Sequence, residues 1–345
     1  MLKDLLSPAE CGMLRSLIDG AHNIVICCHV NPDGDAIGSS LGWAEYLKTL
    51  GKEPAIVVPD QFPDFLQWMP GTDTIVRYDR RKDEADALFA GSDLVFCLDF
   101  NQPSRTDAMA DALVGAAAPK VMFDHHLAPD MPGCALMVSR TEMCSTSEIV
   151  FRVVWQLGGF DRLGAAFAAP VYCGMMTDTG GFTYNSTRPG IYFIISQLLT
   201  KQIDKDKIYR NVYNNYSENR LRLVGYVLYR KLVVDKVHHA AFFTLTRRDL
   251  LDFHFIKGDA EGLVNIPLQI KGLKLSISLR EDRDRDNLVW VSLRSVDDFP
   301  CNKVAEMFFN GGGHLNASGG RLNCSIDEAV EITKRAIAHF EPTLK

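Results

Sequence analysis

No stretch of this 345-residue chain reaches the roughly 18 consecutive apolar residues that a membrane-crossing helix needs, so no membrane partner is expected. Excess positive charge is also missing. With 37 Lys and Arg against 43 Asp and Glu, the formal net charge is −6, which offers no general surface to a long polyanion. Any nucleic-acid contact must be local and short. The cysteines lack order: nine, an odd number, are scattered without the paired spacing of a zinc site. Cys27, Cys28, Cys97 and Cys173 lie in apolar runs, as expected of buried thiols in a reducing compartment. Residues 1–8 carry an acid early and no long apolar core, which predicts no secretory leader and a cytoplasmic protein. Neither an internal repeat nor a low-complexity segment interrupts the chain. Apolar content of 47% is ordinary for a globular protein, and the length exceeds what one core usually spans, so two domains are expected.

The most informative stretch runs from residue 24 to residue 40. Residues 24–28 are apolar and read as a buried strand that ends at His29. Asn31-Pro32 and Asp33-Gly34-Asp35 follow as turn formers, and a helical spacing resumes after Gly38. An imidazole and two carboxylates thus cluster where a strand hands over to a helix, the edge at which open α/β sheets bind ligands. Packing needs no such cluster, and its like charges repel without a cation. Imidazole with carboxylate suits Mn, Fe or Zn. A solvated acidic turn is the alternative for this stretch taken alone.

The rest of the first half repeats the pattern. Residues 9–19 predict a short amphipathic helix, and residues 54–58 a second strand. The aromatic-rich residues 62–69 read as a satellite core in preference to a lid. Residues 92–98 form a strand ending at Asp99, and residues 120–123 one ending at Asp124-His125-His126. A further strand spans 135–138. Residues 146–157 read as a helix capped at Ser145, with Glu148 at the capping-box position. A buried helix over 163–176 leads to Asp178 before two glycines. Strands alternating with helices predict an α/β fold with a mostly parallel sheet and helices on both faces. Three strands and a helix ending in metal-capable residues supply more ligands than one ion needs. A carboxylate shared between two ions about 3.5 to 4 Å apart uses them economically, and such a pair is the usual clamp for phosphoryl displacement.

Further on, polar helices over 204–229 carry Tyr209, Tyr213 and Tyr216, which read as packing residues more than as base-stacking ones. Residues 240–246 are strand-like. Two strands over 273–279 and 288–293 flank a charged tip, and Arg294 directly follows the second. A helix within 299–309 is expected to turn Val304, Met307 and Phe308 inward. Gly311-Gly312-Gly313-His314 comes next, and residues 326–339 predict the last helix. Consecutive glycines weaken a fold unless the backbone approaches something closely, and their N–H groups can cradle an anion.

These motifs resemble the DHH-family phosphoesterases, named for Asp-His-His. The likeness covers residues 29–39, Asp99, Asp124 to His126 and Thr177-Asp178, together with the companion-domain motif Gly-Gly-Gly-His, and so nearly the whole chain. It is strongest to the stand-alone bacterial nano-RNase and pAp phosphatase branch. The resemblance implies a catalytic domain over residues 1–195, a helical linker over 196–232 and a smaller α/β domain with a mixed sheet over 233–345. It puts the active site in the cleft between domains. It implies two Mn ions, with Mg or another divalent ion as substitutes. His29, Asp33 and Asp99 would hold one; Asp35, Asp99, His125 and Asp178 would hold the other. Asp99 would bridge, His126 would contact the scissile phosphate or its leaving oxygen, and Asp124 would orient a histidine. Arg294, Ser295, Gly311, Gly312, Gly313 and His314 would hold the substrate's terminal phosphate or nucleotide.

The implied reaction is hydrolysis of short RNA, two to about five nucleotides long, and of pAp to AMP, by water activated between the ions. A homodimer is the implied assembly. The rivals are a phosphodiesterase for cyclic dinucleotides or their linear products, an exopolyphosphatase or pyrophosphatase, a single-strand DNA exonuclease and a non-catalytic nucleotide-binding protein. The nucleotide-type C-terminal motif argues against pyrophosphate. Retention of every motif ligand argues against a silent sensor.

Overall fold

A computed structural model describes residues 2–256 and 258–344, whose packing divides between Asn215 and Tyr216 into two units. The first is built on six parallel strands: β1 Ile24–Cys27, β2 Ala55–Val58, β3 Val76–Arg77, β4 Leu94–Leu98, β5 Lys120–Asp124 and β6 Cys134–Ser139. Their order is β3-β2-β1-β4-β5-β6, so the order in which strands are added reverses between β1 and β4 while all stay parallel.

Helices α1 Pro8–Gly20, α2 Gly34–Thr49, α3 Lys82–Ala90, α4 Ala110–Gly115, α5 Thr146–Gln156, α6 Ala165–Asp178, α7 Pro189–Leu199 and α8 Lys205–Tyr213 complete the unit. Strand residues alternate between two cores. Ile24, Ile26, Phe96, Leu98 and Phe123 pack with α1, α2, α5, α6 and α7. Val25, Cys27, Val95, Cys97 and Met122 pack with Phe89 of α3 and Leu113 of α4. Burial on both faces is why the central strands read as unbroken apolar runs. Residues 62–69 are no satellite: Phe62, Leu66 and Met69 belong to the larger of these cores.

Helix α2 starts at Gly34, earlier than the spacing predicts. Asp33 caps it, its side chain accepting from the N–H groups of Asp35 and Ala36 at 2.9 and 3.0 Å. Helices α2 and α6 then pack at unusually short range. A Cβ on Gly38 would stand 2.4 Å from the Pro170 carbonyl oxygen, so only glycine permits this approach. Gly34, Gly38 and Gly42 are spaced four apart and form one stripe against α6.

Residues 196–232 are shared between the units instead of standing apart as a connection. Ile208 and Val212 of α8 enter the first core. Leu223 of α9 Glu218–Tyr226 and Val227, which opens the π-helical Val227–Lys231, join Phe243 and Leu245 in the second unit. There β7 Val233–Asp235, β8 Ala240–Leu245, β9 Leu275–Glu281, β10 Val289–Ser295, β11 Gly312–Gly313 and β12 Ala317–Leu322 form a mixed sheet ordered β11-β12-β10-β9-β8-β7. Only the β8–β9 pair is parallel among the pairings described. Helices α10 Arg247–Asp252, α11 Cys301–Phe308 and α12 Ile326–His339 flank it. Val304 is buried as expected and Phe308 partly so, but Met307 is 59% exposed, because the buried stripe of α11 runs through Cys301, Val304 and Ala305 to Phe309. No helix of the described residues is long and apolar enough to cross a membrane.

Candidate metal centre

The site lies at the carboxyl edge of the parallel sheet, at the reversal in strand order, where open α/β sheets form their binding crevice. Cys27 of β1 pairs with Cys97 of β4, so His29 and Asp99 are each two residues beyond that pair. Asp99 adopts φ 66°, in the left-handed region that few residues other than glycine enter. Its N–H still donates to the Phe123 carbonyl at 3.0 Å, which holds the strained residue at the sheet edge. Asp124 ends β5, with His125 and His126 immediately after. Asp35 stands in the first turn of α2, and Asp178 ends α6. The tight α2–α6 packing brings these two acids to the same edge.

Two groups of donor atoms result, each able to converge on an ion: His29 with Asp33 and Asp99, and Asp35 with Asp99 and His125. His29 Nε2 lies 3.4 Å from Asp99 Oδ2 and 3.9 Å from Asp33 Oδ1. His125 Nε2 lies 3.1 Å from Asp178 Oδ2, 3.5 Å from Asp99 Oδ1 and 4.0 Å from Asp35 Oδ2. Each oxygen of Asp99 therefore faces a different histidine. The other ring nitrogens are occupied. His29 Nδ1 is 2.8 Å from the Val30 carbonyl, and His125 Nδ1 is 3.4 Å from the Met143 carbonyl. Both Nε2 atoms are thereby presented to the carboxylates.

His126 belongs to a third group, with Asp99 and Asp124. Asp124 is fully buried and grips it twice, Oδ1 at 2.7 Å from Nδ1 and Oδ2 accepting from the His126 N–H at 3.1 Å. The histidine that Asp124 orients is thus His126.

The electrostatics fit a cation. Burial, then the charges of Asp99 and Asp178, push Asp35 well above the usual carboxylate range. Burial also raises Asp178, only partly offset by His125. Asp99 is pushed up by burial, but its bond to His29 and the charges of three histidines hold it well below that range. Burial lowers His29, yet the bond to Asp99 and the charges of Asp33 and Asp99 outweigh it and raise it to about 9. His125 is likewise lifted well above its ordinary value, by Asp178, Asp99 and Asp35. Acids this buried require positive charge nearby. The imidazoles supply it by holding protons. A divalent ion supplies it while using their lone pairs, and this donor set of imidazole and carboxylate suits Mn, Fe or Zn.

Sequence reasoning took residues 145–148 only as a helix start. The Ser145 hydroxyl does accept from the Glu148 N–H at 3.0 Å, but the Glu148 carboxylate reaches back to the Cys144 N–H at 2.8 Å, not to Ser145. Fully buried Glu148 also pairs with Arg152 at 2.8 Å and Arg188 at 2.7 Å. The Thr146 hydroxyl donates to Asp99 Oδ1 at 2.9 Å, and the N–H groups of Thr146 and Ser147 bind both oxygens of Asp35 at 2.6 and 2.8 Å. The available signal was a helix opening Ser-Thr-Ser-Glu a few residues after a strand of the same sheet.

In the second unit, Arg294 lies within β10 instead of after it, paired with Ser276 and Ala317, and its Nη1 donates to the Leu293 carbonyl at 2.9 Å. The Ser295 hydroxyl is engaged internally, with the Phe299 carbonyl at 2.7 Å and the Asn316 amide at 2.9 Å. Close approach to β12 accounts for two glycines. A Cβ on Gly311 would meet the Gly319 carbonyl at 1.9 Å, and one on Gly313, at φ 142°, the Ala317 carbonyl at 2.6 Å. Gly312 has open space around its Cβ position, so packing gives no reason for it. The His314 N–H donates to the Ala317 carbonyl at 2.8 Å.

Comparison with known proteins adds the following. The model described as "DHH family, N-terminal domain" matches residues 23–175. The bifunctional oligoribonuclease and PAP phosphatase NrnA of Thermus thermophilus is 30% identical over 316 residues, which is 91% of this chain and 89% of that protein. The crystal structure of an exopolyphosphatase-related protein from Bacteroides fragilis is 48% identical, with a TM-score of 0.95 and 99% of both chains covered. RecJ of Thermus thermophilus in complex with Mn2+ gives a TM-score of 0.55 at 12% identity, covering 97% of this chain and 56% of that one, a likeness of fold alone.

Proposed function

This chain belongs to the DHH family, and from that premise we propose that it is a metal-dependent phosphoesterase that cuts short oligoribonucleotides to mononucleotides and pAp to AMP. The single observation that carries the reading is Asp99, whose two oxygens face two separate histidine–carboxylate groups. The name of the Thermus relative, an oligoribonuclease and PAP phosphatase, supports the substrate class. The net charge of −6 favours short substrates over long ones.

His29, Asp33 and Asp99 would hold one Mn ion, and Asp35, Asp99, His125 and Asp178 the other, with Mg or another divalent ion as the substitute. When bound, such ions lower the pKa of water and neutralise charge growing on phosphoryl oxygens. The chain's own residues do the remaining work. Asp99 fixes the two groups at a common carboxylate. Asp124 holds Nδ1 of His126, so that contact with the scissile phosphate or a proton for the leaving oxygen falls to Nε2. In the second unit the Arg294 guanidinium, the backbone N–H of Gly312 and the His314 side chain would hold the distal phosphate.

The test is a panel of pAp, ribonucleotides two to five long, cyclic dinucleotides and their linear products, pyrophosphate and polyphosphate, assayed with Mn2+. The highest kcat/KM is expected on pAp and the shortest RNAs. Preference for a cyclic dinucleotide, pyrophosphate or polyphosphate would replace the proposed substrate class with that rival.

A further inference from the structure

We propose that Thr146 is the positioning residue that aims the Asp99 carboxylate, and that the first turn of α5 is the frame on which the second ion group is built. This rests on the two-ion reading above. Thr146 opens α5, and its hydroxyl donates to Asp99 Oδ1 at 2.9 Å. That oxygen is the one facing His125, while Oδ2 faces His29. A carboxylate on a strand end can rotate about its last side-chain bond. A hydroxyl held by a rigid helix stops that rotation with one oxygen toward each group. It occupies one lone pair of Oδ1 and leaves the other for an ion.

The same turn fixes Asp35. The first free N–H groups of a helix need acceptors, and here Thr146 and Ser147 give theirs to the two Asp35 oxygens at 2.6 and 2.8 Å. Thr146, Ser147 and Asp35 are fully buried and Asp99 nearly so, so water cannot substitute for any of these bonds. The positive end of the helix also favours the carboxylate as an anion. One helical turn thus contacts the shared carboxylate and an acid belonging only to the second group. His29 and Asp33 have no hydrogen bond to α5 in the structure's described contacts. The Thr146 hydroxyl sits on the Asp99 oxygen that faces His125, and among the described residues α5 touches no acid belonging to the His29 group alone, so loss of that hydroxyl falls mainly on the second group.

The chemistry distinguishes this role from packing. Thr146→Val keeps the shape and loses only the hydroxyl, whereas Thr146→Ser keeps the hydroxyl and loses a methyl group. The experiment is Mn2+ titration of the full-length protein and both variants by calorimetry and electron paramagnetic resonance, with kcat and KM on pAp and a thermal melt for each. Thr146→Val should bind its first ion as wild type does and its second about 10- to 100-fold more weakly. Its kcat should fall with KM little changed, and Thr146→Ser should recover both the second ion and kcat. Two equally tight ions in Thr146→Val would overturn the positioning role. So would Thr146→Ser binding the second ion as weakly as Thr146→Val, because restoring the hydroxyl would then restore nothing. Absence of Mn2+ binding by the wild-type protein would instead overturn the two-ion reading itself, and the inference with it.

Discussion

Asp99 Oδ2 stands 3.4 Å from His29 Nε2, across the one place where the order of the parallel strands reverses. The pair follows from chain geometry. β1 and β4 are neighbours in register, and each gives up its strand conformation at this edge. The left-handed backbone of Asp99 is a local cost, tolerated where the surrounding sheet over-determines it. Such a residue is expected at a working site.

Metal binding should stabilise the fold. Asp35 and Asp99 are buried side by side, with the half-buried Asp178 facing the same His125. An ion at about one hundred times its dissociation constant adds about 2.7 kcal/mol. A thermal melt should therefore shift upward on adding Mn2+ and return with a chelator. A melt indifferent to both would count against any resident ion.

The paired histidines should separate. His125 faces the carboxylates through Nε2, whereas His126 is tied to Asp124 through Nδ1. His126→Ala should retain two ions per chain and lose rate by about 10²- to 10⁴-fold. His125→Ala should lose an ion. Metal content by elemental analysis beside single-turnover rates checks the assignment, and the opposite pattern would reverse it.

Substrate choice should reside in the second unit. Arg294→Ala should bind both ions normally yet lose about 1.5–3 kcal/mol, or about ten- to a hundredfold in kcat/KM, on pAp and dinucleotide RNA. On bis-p-nitrophenyl phosphate, which lacks a distal phosphate, the loss should be much smaller. Gly312→Ala should fold, because its Cβ meets open space, and should also weaken pAp binding. Equal losses on both substrate types would remove Arg294 from substrate selection.

Helix approach should be limiting for the first unit. In Gly38→Ala the new methyl meets a backbone carbonyl that cannot rotate aside. Urea unfolding should show a loss of about 1–3 kcal/mol. Mn2+ affinity should fall with it, because the α2–α6 spacing sets Asp35 beside Asp178. Unchanged stability and affinity would mean that the helices can separate without moving the acids.

Much of this arrangement was legible because it rests on local rules. Apolar strands ending in His29, Asp99 and Asp124 gave the sheet and its working edge, and Asp178 marked the end of a buried helix. What escaped depends on partners distant in sequence. β3 is two residues long and exists only by pairing with β2. The early start of α2 depends on a cap by Asp33 and on a glycine stripe whose value is visible only against α6. Arg294 continues β10 because β9 and β12 flank it. Thr146 looked like any helix opener, since its partner, Asp99, is 47 residues away.

The most direct test of the account is the rate of pAp hydrolysis by Asp99→Asn beside wild type, with saturating Mn2+ and preparations free of contaminating nuclease. Asparagine tolerates the left-handed backbone at φ 66°, so the variant should keep its fold by circular dichroism. The account predicts a rate lower by about a thousandfold or more, the several kcal/mol that an ion-held phosphoryl transition state is worth. A folded Asp99→Asn protein that hydrolyses pAp at a near-normal rate would contradict it.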